Sequence, residues 1–86
     1  MSKPLVKVGE ISHYYSNIGV AVVELADTLK VGDSITVAGA TTDFTQVVRS
    51  MQIEHKQVEE AGAGDSIGLK VQDRVRKGDV VYRTKI

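Results

Sequence analysis

The sequence predicts an all-β fold, and three observations support this prediction. Apolar and polar residues alternate over short segments, those segments are rich in Val, Ile, Thr and Tyr, and Gly-Asp turn signals separate them. The alternation is clearest over residues 47–55, where one face of a strand would carry Val47, Arg49, Met51, Ile53 and His55. A closed or nearly closed β-barrel is favoured, because closure removes the exposed edges that short strands would otherwise present.

Six strands are predicted, over residues 5–13, 18–25, 35–37, 47–55, 66–71 and 79–84. Gly9 interrupts the first strand. Val6 and Val8 are at even positions and would share one face, whereas Ile11 is at an odd position, so a β-bulge is expected near Gly9. The six strands make a single domain over residues 5–86, and residues 1–4 are predicted to be a flexible tail.

A Gly-Asp pair precedes three of the strands or lies at their start. The pairs are Gly32-Asp33, Gly64-Asp65 and Gly78-Asp79. Glycine adopts the positive φ that a tight turn requires, and aspartate can accept hydrogen bonds from nearby backbone N–H groups. We therefore expect the same turn chemistry to be used three times.

Composition narrows the class of protein. The chain has 86 residues, 11 basic and 11 acidic side chains and no Cys, so it has no net charge to attract a polyanion and cannot form a disulfide. It lacks an apolar run of about 20 residues, the length that spans a membrane. These features predict a soluble, cytoplasmic protein that is not membrane-bound.

No familiar catalytic or ligand-binding constellation is visible in the sequence. A zinc site needs three or four suitable ligands, and the two histidines, His13 and His55, are far apart. The glycine-rich run at residues 62–68 has no Gly-Lys-Ser/Thr and leads into a predicted strand, so it is interpreted as a turn. The sequence therefore predicts no enzyme activity, no catalytic residue, no metal, no cofactor and no nucleotide bound by this chain alone.

Two features favour binding. Tyr14 and Tyr15 are adjacent at a strand end, where they could stack on bases or contact a protein, or where one could close the barrel end with the other packed over it. The C-terminal third is locally basic, and this bias could contact phosphates or form an ordinary solvated surface of mixed sign. Its basic residues are Lys70, Arg74, Arg76, Lys77, Arg83 and Lys85.

The runs at residues 19–25, 29–35, 50–52, 61–69 and 77–81 resemble a known family. They are similar to the second domain of Tu-class translation elongation factors, to small free-standing elongation-factor-like proteins, and to the C-terminal barrel of collagenase-like peptidase-family proteins, several of which act in RNA modification. The resemblance implies a six-stranded barrel of the translation-protein type.

In elongation factors this domain packs on the GTPase domain and helps to hold the acceptor end of aminoacyl-tRNA. The family's carboxylate facing the terminal adenosine falls at Gln52, and a basic residue of the family falls at His55. The resemblance thus implies a non-catalytic module that docks on RNA, the ribosome or a translation-associated protein. The alternative is a protein-interaction subunit or accessory domain of an RNA-modifying or peptidase-family-like enzyme. The candidate contact residues are Tyr14, Tyr15, Gln52, His55, Arg74, Arg76 and Lys77.

Overall fold

The computed structural model describes residues 5–84, and within that range the fold consists of β-strands and turns without a helix. The all-β prediction is confirmed. No helix capable of crossing a membrane is present in this part of the chain. The predicted tail at residues 1–4 and the last two residues lie outside the described range. The strands are β1 (Leu5–Tyr15), β2 (Val20–Leu25), β3 (Leu29–Lys30), β4 (Ser34–Ala38), β5 (Asp43–Val47), β6 (Met51–Ile53), β7 (Lys56–Val58), β8 (Glu60–Ala61), β9 (Ser66–Lys70) and β10 (Val80–Thr84).

Eight of the strands form one antiparallel sheet in the order β5-β4-β10-β1-β2-β9-β6-β7, and β3 pairs separately with β8. The edge strands β5 and β7 do not pair with each other. The prediction of a six-stranded, closed or nearly closed barrel of the elongation-factor type is therefore wrong in strand number, and the sheet is not closed into a barrel.

On the side of β5 away from β4, side-chain hydrogen bonds are found where backbone pairing with another strand would extend the sheet. The Gln46 amide donates to the carbonyl oxygen of Lys70 (3.0 Å) and accepts from the N–H of Gln72 (2.8 Å), and the Gln72 amide donates to the carbonyl of Thr45 (3.2 Å). Because the chain bends at Gln72 and Asp73, shortly after β9, no described strand pairs with β5 on the side away from β4. The two glutamines connect these segments without a backbone ladder.

The Gly-Asp turns have the predicted chemistry at all three positions. Their glycines have φ values of 99°, 90° and 96°, in the region that side chains disfavour. In each turn the Asp carboxylate accepts a hydrogen bond from the N–H three residues earlier, and the Asp N–H donates to the carbonyl of that same residue. The carboxylate distances are 3.0 Å for Asp33 from Lys30, 2.9 Å for Asp65 from Gly62 and 2.9 Å for Asp79 from Arg76.

Each turn also attaches to a distant part of the chain. The Gly N–H donates to the carbonyl of one buried residue, and the N–H of that residue donates back to the Asp carbonyl. The buried partners are Val48 for Gly32-Asp33, Leu25 for Gly64-Asp65 and Ile11 for Gly78-Asp79, over distances of 2.7–2.9 Å. This reciprocal pair satisfies backbone groups that would otherwise be buried without a partner.

The bond from Val48 explains why the predicted strand 47–55 is not a single strand. Pairing of Val48 with the Gly32-Asp33 turn directs its side chain into the core, where it is 1% exposed, while Val47 is 49% exposed. Arg49 is also exposed, and His55 lies in the turn between β6 and β7. The strand face that runs from Val47 to His55 was expected to point mostly inward. Met51 is buried and Ile53 packs partly buried against the core, whereas Val47, Arg49 and His55 are exposed.

One apolar core lies behind the inward face of the sheet and the β3–β8 pair. Its members come from all parts of the described chain and include Ile11, Val23, Leu29, Ile35, Met51, Leu69 and Val81. The bulge predicted at Gly9 is confirmed, since the β1–β10 register shifts between Lys7 and Gly9. A Cβ on Gly9 would lie 2.7 Å from the carbonyl oxygen of Glu24 and 2.8 Å from a methyl of Val23, so the close packing requires glycine.

We expect Asp79→Ala to lower the free energy of unfolding by about 1–3 kcal/mol, because Asp79 is 5% exposed and its carboxylate satisfies the Arg76 N–H. Asp33→Ala, at a more accessible turn, should cost about 1 kcal/mol or less. Urea unfolding of the two variants measures both values, with Asp79→Asn as the control that keeps an acceptor oxygen. Equal losses for Asp79→Ala and Asp33→Ala would contradict this account of the turns.

Candidate binding site

The seven sequence-predicted contact residues do not share one surface. Neighbouring side chains on a strand point to opposite faces, and Tyr14 and Tyr15 are therefore separated at the end of β1. Tyr14 borders a shallow basic depression together with Arg74, Arg76 and Lys77. The remaining three residues, Tyr15, Gln52 and His55, border a different depression.

The second depression, here called the outer depression, lies on the outward face of β2, β9 and β6 and has a volume of about 280 Å³. Val20 and Val22 on β2 and Gly68 on β9 form its floor. These three positions are only half-buried, and they alternate with fully buried neighbours in both strands, which shows that they face outward. A floor of this kind gives the depression an apolar base on a rigid sheet.

Gly68 gives the outer depression its depth. It lies directly opposite Val22 on one side and Gln52 on the other. A Cβ at this position would be 3.5 Å from Val20 Cγ1 and 3.9 Å from the carbonyl oxygen of Gln52, which is ordinary contact. The backbone does not need glycine at position 68, so the effect of the missing side chain is on the surface.

Two exposed apolar side chains stand at one end of the outer depression. Tyr15 is 47% exposed and Ile18 is 53% exposed. The Tyr15 ring lies against the His13 imidazole, with centroids 4.4 Å apart and planes tilted by 60°, an arrangement typical of ring pairs. The carbonyl of Ile18 accepts a hydrogen bond from the Lys70 ammonium at 2.6 Å, which fixes the turn between β1 and β2.

At the other end, Glu54 and His55 form the two-residue turn of the β6–β7 hairpin. Their φ values are 51° and 66°, a left-handed conformation that is uncommon for non-glycine residues, and among these Asn, Asp and His adopt it more often than Glu. Both side chains are exposed on the rim of the outer depression. Sequence reasoning missed this turn because neither residue type signals it.

The basic segment at residues 74–77 is fixed by Val75, which is 2% exposed. Arg74, Arg76 and Lys77 are exposed and form no ion pair within residues 5–84. Tyr14 is half-buried and packs against the core, as expected of a residue that closes one end of it.

The other described basic residues of the C-terminal third do not join residues 74–77 in one basic patch. Arg83 lies 4.0 Å from a carboxylate oxygen of Asp27 and donates a hydrogen bond to the carbonyl of Thr28. Lys70 is engaged with Ile18, on the opposite side of Tyr15 from the basic depression. Lys85 lies outside the described residues. The basic depression therefore depends on residues 74–77 alone.

Among residues 5–84, no three His, Cys, Asp or Glu side chains come together in a group that could hold a metal ion. The two histidines line different depressions, His13 the basic one and His55 the outer one.

Comparison with known proteins places this arrangement in context. No family model matches the chain. It is 43% identical over 81 residues to an uncharacterized protease of Methanocaldococcus jannaschii, covering 93% of this chain and 20% of that protein. It is 37% identical over 78 residues to a collagenase of Porphyromonas gingivalis, covering 88% of this chain and 22% of that protein. The chain thus spans about a fifth of the length of these curated relatives.

Solved structures agree on the fold. The C-terminal domain of a putative U32 peptidase from Geobacillus thermoleovorans superimposes with a TM-score of 0.87 at 19% identity, over 93% of both chains. The selenomethionine variant of that domain gives 0.84 at 21% identity, over 92% of this chain and 98% of the other. This chain has the fold of that C-terminal domain.

These comparisons correct the translation-factor prediction. The relatives are named protease and collagenase, and none of their names concerns translation. The assignment as an elongation-factor-like protein is therefore wrong, whereas the resemblance to the C-terminal barrel of collagenase-like peptidase-family proteins is supported.

The two tyrosines should behave differently when truncated. Tyr14→Ala removes a half-buried ring from the core and should cost about 2 kcal/mol of unfolding free energy. Tyr15→Ala removes an exposed ring and should cost no more than about 0.5 kcal/mol. Urea unfolding monitored by circular dichroism measures both, and a larger loss at Tyr15 would show that the two rings have been assigned to the wrong environments.

Proposed function

We propose that this chain is a non-catalytic accessory domain of the peptidase family represented by its relatives, and that it acts by binding polypeptide. One observation carries the proposal. The similarity covers nearly all of this chain, but only 20–22% of the curated relatives. Because nearly all of this chain matches about one fifth of a protease, we interpret the chain as one domain of such a protein. The residues that cleave the substrate would then lie in the remaining four-fifths.

The surface chemistry supports a binding role. Peptide hydrolysis needs a nucleophile or an activated water with a base and an oxyanion-stabilising group converging on one point. The two histidines of the chain lie in separate shallow depressions, so neither offers a base to a shared centre. The exposed apolar residues beside the outer depression have instead the character of a contact surface.

A domain exchange in the Porphyromonas gingivalis collagenase tests the proposal. Deleting the segment that matches this chain should lower collagen cleavage, and replacing that segment with residues 5–84 of this chain should restore at least part of it. The physical reason is that the two segments are 37% identical and would share the fold that positions the binding surface. Cleavage of collagen by the purified proteins, at matched folded concentrations, is the measurement.

The isolated chain serves as the control, and it should hydrolyse no peptide substrate. Hydrolysis by the isolated chain would overturn the non-catalytic role. Full activity of the deletion protein would overturn the accessory role, because the segment would then contribute nothing to the activity of the collagenase.

A further inference from the structure

We propose that the outer depression binds an extended polypeptide segment in which an apolar side chain is followed by a basic one. This inference rests on the proposed role as a binding domain and specifies the class of partner. It goes beyond the comparisons, since none of the relatives' names mentions this surface. It is carried by the shape of the floor, the charges around it and the free hydrogen-bonding groups at its rim.

The floor accommodates an apolar side chain. Val22 and Gln52 stand on either side of Gly68, and no side chain fills the space between them. Val20 extends the apolar surface toward Tyr15, its cross-strand neighbour. A side chain inserted above Gly68 would remove these half-exposed apolar groups from water, which is the main favourable contribution to such contacts.

The surroundings are acidic where the ligand would leave the floor. Glu10 and Glu24 are direct cross-strand neighbours, and both are exposed. Like charges in that position destabilise a sheet, and a cation from outside would relieve the repulsion. Ser66, on the edge of the outer depression, donates a hydrogen bond to Glu24 and so connects the acidic pair to the floor.

A third carboxylate, that of Glu54, lies on the rim. None of these three glutamates forms an ion pair within residues 5–84, where the ion pairs join Lys30 to Glu60 and Arg83 to Asp27. At the opposite end of the outer depression, the ammonium of Lys70, the cross-strand neighbour of Val20, donates to the carbonyl of Ile18. Charge complementarity therefore favours a basic group beside the apolar one and disfavours a nucleic acid, whose phosphates the carboxylates would repel.

Gln52 supplies hydrogen-bonding groups for the backbone of the bound segment. Its amide is exposed at the wall of the depression and carries both donors and an acceptor. An extended segment leaves its backbone N–H and carbonyl groups free, and such segments are recognised by side-chain pockets together with hydrogen bonds to the main chain. The rigid strands β2, β9 and β6 hold these groups in place before the partner arrives.

Four labelled octapeptides test the proposal by fluorescence anisotropy against the intact chain. They have a central pair flanked by glycines, and the pair is Leu-Arg, Ala-Arg, Leu-Glu or Ala-Glu. We expect the Leu-Arg peptide to bind most tightly and the Ala-Glu peptide most weakly, and we expect Glu24→Gln to weaken Leu-Arg binding roughly threefold at low ionic strength.

The decisive variant is Gly68→Ala, which adds one methyl to the floor without a backbone clash. It should weaken binding of the Leu-Arg peptide roughly tenfold. Gly62→Ala is the matched control, because nothing lies within 4 Å of the added Cβ and Gly62 does not line the depression, so binding should stay unchanged.

Wild-type affinity for Gly68→Ala in a protein with unchanged circular dichroism would overturn the proposal. So would a peptide ranking that does not follow the Leu-Arg pair, or displacement of the peptide by a single-stranded oligonucleotide. A negative peptide result with successful exchange into the collagenase would reject this site alone, whereas full activity of the collagenase lacking the matching segment would reject the accessory role.

Discussion

The structure depends on a four-residue turn that the chain uses three times. Each Gly-Asp turn is closed internally by the Asp carboxylate and attached externally by a reciprocal pair of backbone hydrogen bonds. Each leads into β4, β9 or β10, and all three strands have a hydrogen-bonded neighbour on both sides. The turns therefore fix where the interior strands of the sheet begin, and with them the register of the strands around them.

The Gly-Asp turns also determine which side chains lie next to one another on the outward face of the sheet. Because Leu25 is held by the Gly64-Asp65 turn, β2 and β9 are aligned so that Val22 lies opposite Gly68. The outer depression follows from that alignment together with the absence of a side chain at position 68. Its walls lie on strands rather than on long loops, so the surface needs little rearrangement to bind a partner.

Local chemistry could be predicted from the sequence, and long-range geometry could not. The turn glycines, their capping aspartates and the bulge at Gly9 all follow from properties of single residues and their neighbours. The inward position of Val48 depends on Asp33, which is distant in sequence, and the open sheet depends on contacts of Gln46 and Gln72. The Glu54-His55 turn was missed because Glu-His is not one of the residue pairs, such as Asn-Gly or Asp-Gly, that signal a two-residue hairpin turn.

The translation-factor prediction failed for a related reason, whereas the alternative, an accessory domain of a peptidase-family-like enzyme, agrees with the relatives. The motifs that resemble elongation factors include the three Gly-Asp turns, which specify the backbone and carry no information about the ligand. Only Gln52 and His55 were inferred from that resemblance, whereas the tyrosines and the basic residues were predicted from their side-chain chemistry. The structure divides these residues between two surfaces. Tyr15, Gln52 and His55 meet at the outer depression, and Tyr14 lies apart from them near the basic segment.

Native-state hydrogen exchange at the three capped amides tests most directly whether the turns hold the sheet. The N–H groups of Lys30, Gly62 and Arg76 bond to carboxylates of the Gly-Asp turns. If the turns have the role described, these amides exchange orders of magnitude more slowly than in an unfolded peptide, and Arg76 exchanges as slowly as the interior strands. Exchange of all three at the rate of an unfolded chain would contradict the account.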